Sequence, residues 1–429
     1  MNPITVNRLS EQTTDYGITD YGITSYGDWL LNPWVQLGIV LLVSLVAIGD
    51  FYRRFYRSID RAPRMVSVSE VVENLPTVTV VVPAYNEAVN IEACLSAIIA
   101  NQSPDLSTQI IVADDESTDE TFALAAQISD TQVSNKDERI HVFTVPPRPS
   151  DQLWRGKNWA CYQAVQKATG EYVLFVDADV RLAPNAIARA LTEAKTHESD
   201  LLSCAPALKC DCFSEWLVQP IMASLLAVGF DFEGVNDPTK PEAALAAGPF
   251  MLFRRAAYDQ IGGHQAVASN PVEDLALAAL IKSKGLSLRY VLGIDVASLR
   301  MYQDFGELWE GWTKNYHIGG GRNALLTLIS AAAVFLIFSM PQIGLLSAVA
   351  GFWWGGAASP VRFVALLASV VAALQWFLRV ASAKKIGQSS QYLWLSWLGG
   401  ILISAIAVVS LIKTETGWGW TWRGRSLAE

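Results

Sequence analysis

The residues best suited to chemistry are acidic and stand where apolar runs stop. In GEYVLFVDADVRL (170–182) a strand-like run ends at Asp177 and Asp179, one alanine apart. If the chain stays extended there, residues i and i+2 point the same way and the two carboxylates converge. Converging carboxylates raise one pKa and cost stability unless a counter-charge sits between them. A hard divalent cation resolves this with oxygen ligands and keeps positions open for substrate phosphates. Such an ion would neutralise a departing diphosphate. A second pair, Asp114 and Asp115, ends another apolar run in VADDESTDE. Adjacent like charges at a strand end repel unless something binds them, and a nucleobase N–H or ribose hydroxyls would do so. Ser117 or Thr118 suits the cap of the next helix. In VVPAYNEA, the residues Pro83, Ala84, Tyr85, Asn86 and Glu87 follow a strand and precede a helix near Asn90. Backbone N–H groups at such a turn can hold a base or a phosphate. Gly156 and Lys157 precede a helix in RGKNWACYQAV; the lysine can reach a phosphate, although no GxxxxGK[ST] pattern is present.

These signals need a frame that brings strand ends together. The runs 77–82, 109–113, 141–145 and 172–176 alternate with helix-like stretches such as NIEACLSAIIAN. That alternation predicts an α/β domain, a parallel sheet with helices on both faces. Ligands in such sheets bind beyond the carboxyl ends of the strands, where the polar residues lie. The domain occupies 76–322.

Either side of it the composition changes. The 429 residues are 51% hydrophobic and 17% charged, with a mean hydropathy of +0.26, which predicts membrane segments. A net charge of -9 argues against nucleic acid as a partner. Residues 1–28 repeat DYGIT-like units and read as a flexible tail. Residues 29–49 carry no charge and can span a bilayer. The linker 50–75 holds Arg53, Arg54, Arg57, Arg61 and Arg64, so the N-terminus is expected outside and the domain in the cytoplasm of a cell or internal membrane. Residues 323–412 hold three to four further spans. Pro341 interrupts the first, and division there gives four C-terminal crossings and a cytoplasmic C-terminus. In the tail 413–429, Trp418, Trp420 and Trp422 read as an interfacial belt. The five cysteines form no secreted disulfide pattern, and the spacing of Cys204, Cys210 and Cys212 matches no zinc motif.

PAYNE, DDES, GK and DAD, in this order over 77 to about 318, resemble the nucleotide-sugar domain of family 2 glycosyltransferases, which have the GT-A fold, a Rossmann-like mixed sheet. The resemblance implies a UDP- or GDP-hexose donor. Pro83, Ala84, Tyr85, Glu87, Asp114 or Asp115, Lys157 and Asp177 would bind that donor. Asp179, with Asp177, would hold Mg2+ or Mn2+. AAGPFMLFRRAAY (246–258) is similar to the family's strand under the acceptor site. Glu273 and Asp274 open a helix running to about Lys284, and acidic residues suit a helix N-terminus on dipole grounds alone. The family places its catalytic base on such a pair, since a positioned carboxylate can take a hydroxyl's proton. Asp274 is assigned the base, Glu273 the reserve, with inversion at the anomeric carbon. His264, in a glycine-rich turn, reads as structural first and as a metal or diphosphate ligand second.

LWEGWTKNYHIGG (308–320) departs from the Gln-x-x-Arg-Trp of the family's processive polysaccharide synthases, which favours a single transfer. GKNWAC, the ED helix, GWTKN and the terminal WRGR resemble membrane-bound carotenoid glycosyltransferases and hopanoid-associated transferases. The expectation is transfer of one hexose to a hydroxyl of a carotenoid-like lipid in the bilayer. The alternatives are a glycolipid synthase acting on diacylglycerol, ceramide, polyprenyl phosphate or hopanoid, and a catalytically inactive membrane scaffold.

Overall fold

The computed structural model describes residues 32–426 apart from 73, 102–105, 135–138, 356–358, 389–390 and 423–424. The tail expected at 1–28 and the start of the span expected at 29–49 lie outside the described residues.

One sheet has eight strands: β1 (Val78–Ala84), β2 (Thr108–Asp114), β3 (Ile140–Thr144), β4 (Tyr172–Val176), β5 (Val180–Leu182), β6 (Leu201–Leu208), β7 (Phe250–Arg254) and β8 (Leu288–Leu299). Their spatial order is β3-β2-β1-β4-β7-β6-β8-β5. The four runs legible in the sequence pair in parallel. β1 and β4 are buried at every position, so they read as unbroken apolar runs rather than alternating ones. Val80 and Val82 face one half of the core with Leu95 and Ile98. Val81 faces the other with Trp159 and Met251.

Beyond β4 the expected parallel order fails. β7 runs antiparallel to β4 and to β6, and β5 antiparallel to β8, while β6 and β8 are parallel. The sheet is mixed. The reversal starts at the acidic pair itself. The Val180 N–H donates to the Asp177 carbonyl at 3.0 Å, so the chain turns after β4 instead of remaining extended. The two aspartates therefore do not share a face by strand alternation, as the spacing predicted; a tight turn places them.

Among the described residues, four helices are long and apolar enough to cross a membrane: Pro33–Arg61, Ala324–Trp353, Ser359–Lys385 and Leu393–Thr416. The first starts at an Asn32 cap whose side chain accepts from the Trp34 N–H. It runs on through the basic stretch expected to be linker, ending at Arg61. Pro341 does not divide Ala324–Trp353 into two spans. A π turn at Phe335–Ser339 precedes it. Proline removes the N–H owed to the carbonyl four residues back. Gln375 Nε2 supplies replacements, donating to the carbonyls of Ile337 at 3.2 Å and Phe338 at 3.0 Å. The helix passes the proline without a break.

Candidate active site

The carboxyl ends of β1, β2 and β4, the Glu273–Ser283 helix and the Phe305–Gly319 helix enclose a cavity of about 350 Å³. Pro83, Ala84, Tyr85 and Glu87 line it from β1, and Asp115 from β2. Lys157, Asp177, Asp179, Glu273 and Asp274 also line it. Asp114 is absent from this lining. It turns back instead, accepting the Ser117 N–H at 3.2 Å. Of the two adjacent acids, Asp115 is the one that lines the cavity. Its carboxylate is held by Arg148 at 3.0 and 3.1 Å.

The backbone after β1 does not offer the open N–H groups the sequence suggested. Asn86 N–H donates to Ser117 Oγ, Glu87 N–H to Thr121 Oγ1 and Ala88 N–H to Asp119 Oδ2. The DDES loop consumes them. It locks the two loops together, and Asp119, not Ser117 or Thr118, accepts from the N–H of Thr121, the first residue of the next helix.

Lys157 is the centre of the charge arrangement. Its Nζ lies 2.7 Å from Asp177 Oδ1 and 2.8 Å from Glu273 Oε1. Burial works against the ammonium, but the two carboxylates outweigh it and hold the lysine's pKa well above its ordinary value. Burial would likewise push Glu273 up, yet Lys157 holds it below the usual range. Asp274 is not paired with the lysine in this way. Burial first, and then the negative charge of Glu273, raise it to about 6. Its Oδ2 accepts the Gly248 N–H at 3.0 Å and its Oδ1 the Leu275 N–H at 2.8 Å. Those bonds aim a carboxylate that exchanges protons near neutral pH into the cavity. Gly248 keeps this corner open: a Cβ would stand 3.1 Å from Asp274 Oδ2 and 3.3 Å from Lys157 Nζ, so both side chains would have to shift slightly.

Asp177 and Asp179 offer oxygen donors of the type Mg2+ and Mn2+ take. Among the described residues no group of three or more His, Cys, Asp or Glu gathers around one point. A cation here would share its coordination with substrate oxygens, as a diphosphate site requires. His264 stands apart from the cavity. It is wholly buried, its Nδ1 lies 2.7 Å from the Tyr258 hydroxyl, and burial lowers it to about 3. The ring is neutral and structural, the first of its two sequence readings.

Several lining residues carry no assignment from the sequence. Arg155 and Asn270 line one wall, and Lys314 and Asn315 line the wall formed by the Phe305–Gly319 helix. Burial lowers Lys314 to about 8, against the pull of Glu273, Asp274 and Asp177. Arg148 sits in a proline-rich loop with no periodic pattern to mark it. Lys314 lies in WTKN, where the departure from the synthase motif is the available signal. Trp312, two residues earlier, is buried and donates to Gln219 Oε1 at 2.8 Å, so it packs rather than faces lipid. Trp420, expected in an interfacial belt, lies over the Arg155 guanidinium at 5.9 Å.

Residues 79–262 match the family model described as glycosyl transferase family 2. The 4,4'-diaponeurosporenoate glycosyltransferase of Staphylococcus aureus strain MRSA252 is 32% identical over 269 residues, 62% of this chain and 67% of that protein. The chain belongs to glycosyl transferase family 2. The enzyme of the same name from strain USA300 is 32% identical over 274 residues, 63% of this chain and 68% of that one. This family 2 glycosyltransferase also shares its fold with a solved mannosyltransferase, PcManGT of Pyrobaculum calidifontis, determined in complex with GDP-Man and Mn2+. The TM-score is 0.51 at 18% identity, covering 90% of this chain and 99% of that one. The fold is GT-A, and the glycosyltransferase carries four helices with the length and composition of membrane spans.

Proposed function

We propose that this glycosyltransferase moves one hexose from a UDP- or GDP-hexose to the head group of a membrane lipid, with a hydroxylated carotenoid or similar isoprenoid as acceptor. The observation that carries the reading is the placement of Asp274. It faces the same cavity as Asp177 and Asp179, and that cavity's remaining wall, Lys314 and Asn315, belongs to a helix packed on an apolar one. Donor from water and acceptor from lipid thus have separate approaches to one point.

In this reading Asp115 and the β1 end hold the nucleoside, while Asp177 and Asp179 face the diphosphate. A bound Mg2+ or Mn2+ would offset the charge that develops on the leaving group. Lys157, within reach of Asp177, faces the diphosphate from its other side. The acceptor oxygen attacks the anomeric carbon as the bond from that carbon to the diphosphate oxygen breaks. The diphosphate leaves with the electron pair and the acceptor proton passes to Asp274. One displacement inverts the configuration. The catalytic domain lies on the cytoplasmic side, where nucleotide sugars are made.

The test is purified protein in lipid bilayers with labelled UDP- or GDP-hexoses, a divalent cation and lipid extracts, followed by mass spectrometry. A hexose-sized mass gain on an isoprenoid pigment supports the reading. A gain on a glycerolipid, sphingolipid or hopanoid moves the acceptor elsewhere. No transfer or hydrolysis of any donor leaves the inactive scaffold. The Staphylococcus aureus relatives are named for a carboxylate acceptor, which favours a second version: ester formation on a carotenoid acid, with no acceptor proton to remove.

A further inference from the structure

The last apolar helix has the highest hydropathy of the four, yet both of its ends touch the catalytic domain. At its start the Tyr392 ring lies 5.6 Å from Phe213 and 6.4 Å from Trp216. Just inside it, Gly399 lies against the Leu217 carbonyl, where a Cβ would clash. At its end Lys413 Nζ donates to Thr313 Oγ1 at 3.3 Å, and Glu415 meets His317 at 3.2 Å and Arg322 at 2.8 Å. The chain beyond continues onto the domain, with Thr421 Oγ1 on Glu310 and Trp420 over Arg155.

The other three apolar helices behave differently. Each has one end at the domain and one away from it. Arg61 pairs with Glu233, His317 Nδ1 meets Thr327 Oγ1, and Gly387, just past Lys385, lies beside Ile294 of β8. At the far end Gly351 closes on both Trp34 and Val361. A 21-residue helix rises about 30 Å, enough to cross, but a segment that leaves and re-enters on one side has not crossed.

We propose that the helix Ser396–Thr416 lies along the catalytic-side leaflet without crossing it, paired with Ala324–Phe338 as an apolar raft. Depth agrees with this. Ser339 Oγ donates to the Trp397 carbonyl at 2.8 Å, and Phe338 stacks edge-on against Phe51 at 5.5 Å. Phe51 adjoins the exposed charges Asp50, Arg53 and Arg54, which mark the boundary of the hydrocarbon. The helix therefore begins at that boundary and stays on its catalytic side. Ser404 Oγ on the Ala331 carbonyl at 2.9 Å continues the pairing. The raft is not covered by protein. Leu325 is 67% exposed and Leu326 56%, with Ile329, Val408 and Ile412 also open. Open apolar side chains on so hydrophobic a helix, with charged and Trp residues beyond its end, call for acyl chains rather than water around them. That patch is continuous with the spanning helices, so its occupant is lipid. The raft backs the helix that carries Lys314 and Asn315, which holds the cavity wall at the membrane surface.

Three crossings rather than four place the two chain ends on opposite sides. Full-length chains fused at either terminus to green fluorescent protein or to alkaline phosphatase measure this in intact cells, without requiring transfer activity. The expected result is fluorescence from the C-terminal fusion with phosphatase activity from the N-terminal one, or the reverse pairing. The same reporter active at both ends means four crossings and overturns the proposal. Spin-labelled lipids give a second readout. A probe attached at Val408 (V408C) is expected to be quenched by labels near the headgroup more than by labels at the chain end, and the opposite order refutes an in-plane helix.

Discussion

The raised pKa of Asp274 makes the proposed base testable through pH alone. Its value of about 6, against an ordinary 3.8, comes from burial first and the charge of Glu273 second. A group of pKa 6 is about nine-tenths ionised at pH 7 and about one-tenth at pH 5. If the ionised form takes the acceptor proton, kcat/KM falls about tenfold between those values and continues tenfold per unit below. The limb's direction is fixed by sign: protonation removes the base, so activity is lost as pH falls through 6.

Glu273→Gln then separates a titrating Asp274 from an unspecific acid limb. It deletes the like charge that raises Asp274. It also frees Lys157, whose ammonium now faces Asp274 without the 2.8 Å competitor. Both changes stabilise the ionised aspartate, so the limb moves to lower pH, by on the order of one pH unit. The assay is the initial rate of hexose transfer with labelled donor, at saturating divalent cation for each pH from 4.5 to 8. A limb that stays near 6 or moves upward in Glu273→Gln refutes the electrostatic reasoning. A profile already flat in the wild-type chain refutes the base itself and points to a carboxylate acceptor, which brings no proton to remove.

Four further outcomes are expected. Asp179→Ala lowers transfer about a thousandfold or more and abolishes the response to added Mn2+, read by rate against cation concentration, because the diphosphate loses its counter-charge. Asp115→Asn raises the donor KM about tenfold with kcat little changed, since in the proposed reading Asp115 holds the nucleoside, away from the bond that breaks. Lys314→Ala raises the KM for the lipid acceptor while leaving donor hydrolysis in water intact, because its helix forms the membrane-side wall. Gly399→Val detaches the last helix from Leu217 and costs about 1–3 kcal/mol, read as a lower midpoint of thermal unfolding in detergent.

The half of the domain that repeats one simple pattern is legible in the sequence. β1 to β4 are parallel, and β1, β2 and β4 are covered on both faces, so their runs are continuous and easily seen. β5, β6 and β8 carry no comparable signal. β5 has only three residues, and β6 loses its uniform burial after Cys204. The cavity lining is legible for a chemical reason: acids at strand ends are costly unless used. Asp114 is the exception among the residues singled out, because its partner is the turn that follows it. The DAD pair reaches the cavity by a route other than the one its spacing predicts, since a turn replaces the strand geometry. The counter-charge demanded for Asp177 also has a protein source in Lys157, in the first turn of the helix Gly156–Val165, which the sequence placed just before the helix.

Arg148 and Lys314 mark the limit of that logic. Neither breaks a local rule of strand or helix, so neither announces a role; only the tertiary structure brings Arg148 onto Asp115 and Lys314 onto the cavity. The same limit applies to the last apolar helix. Hydropathy measures the solvent a segment prefers; it does not give the direction the segment takes, which packing decides. Direction has to come from where the ends are fastened. Here Tyr392 and Glu415 are both fastened to the catalytic domain. In the proposed topology the cytoplasmic C-terminus expected from four C-terminal crossings needs only two, because Pro341 fails to split one helix and the final helix fails to cross.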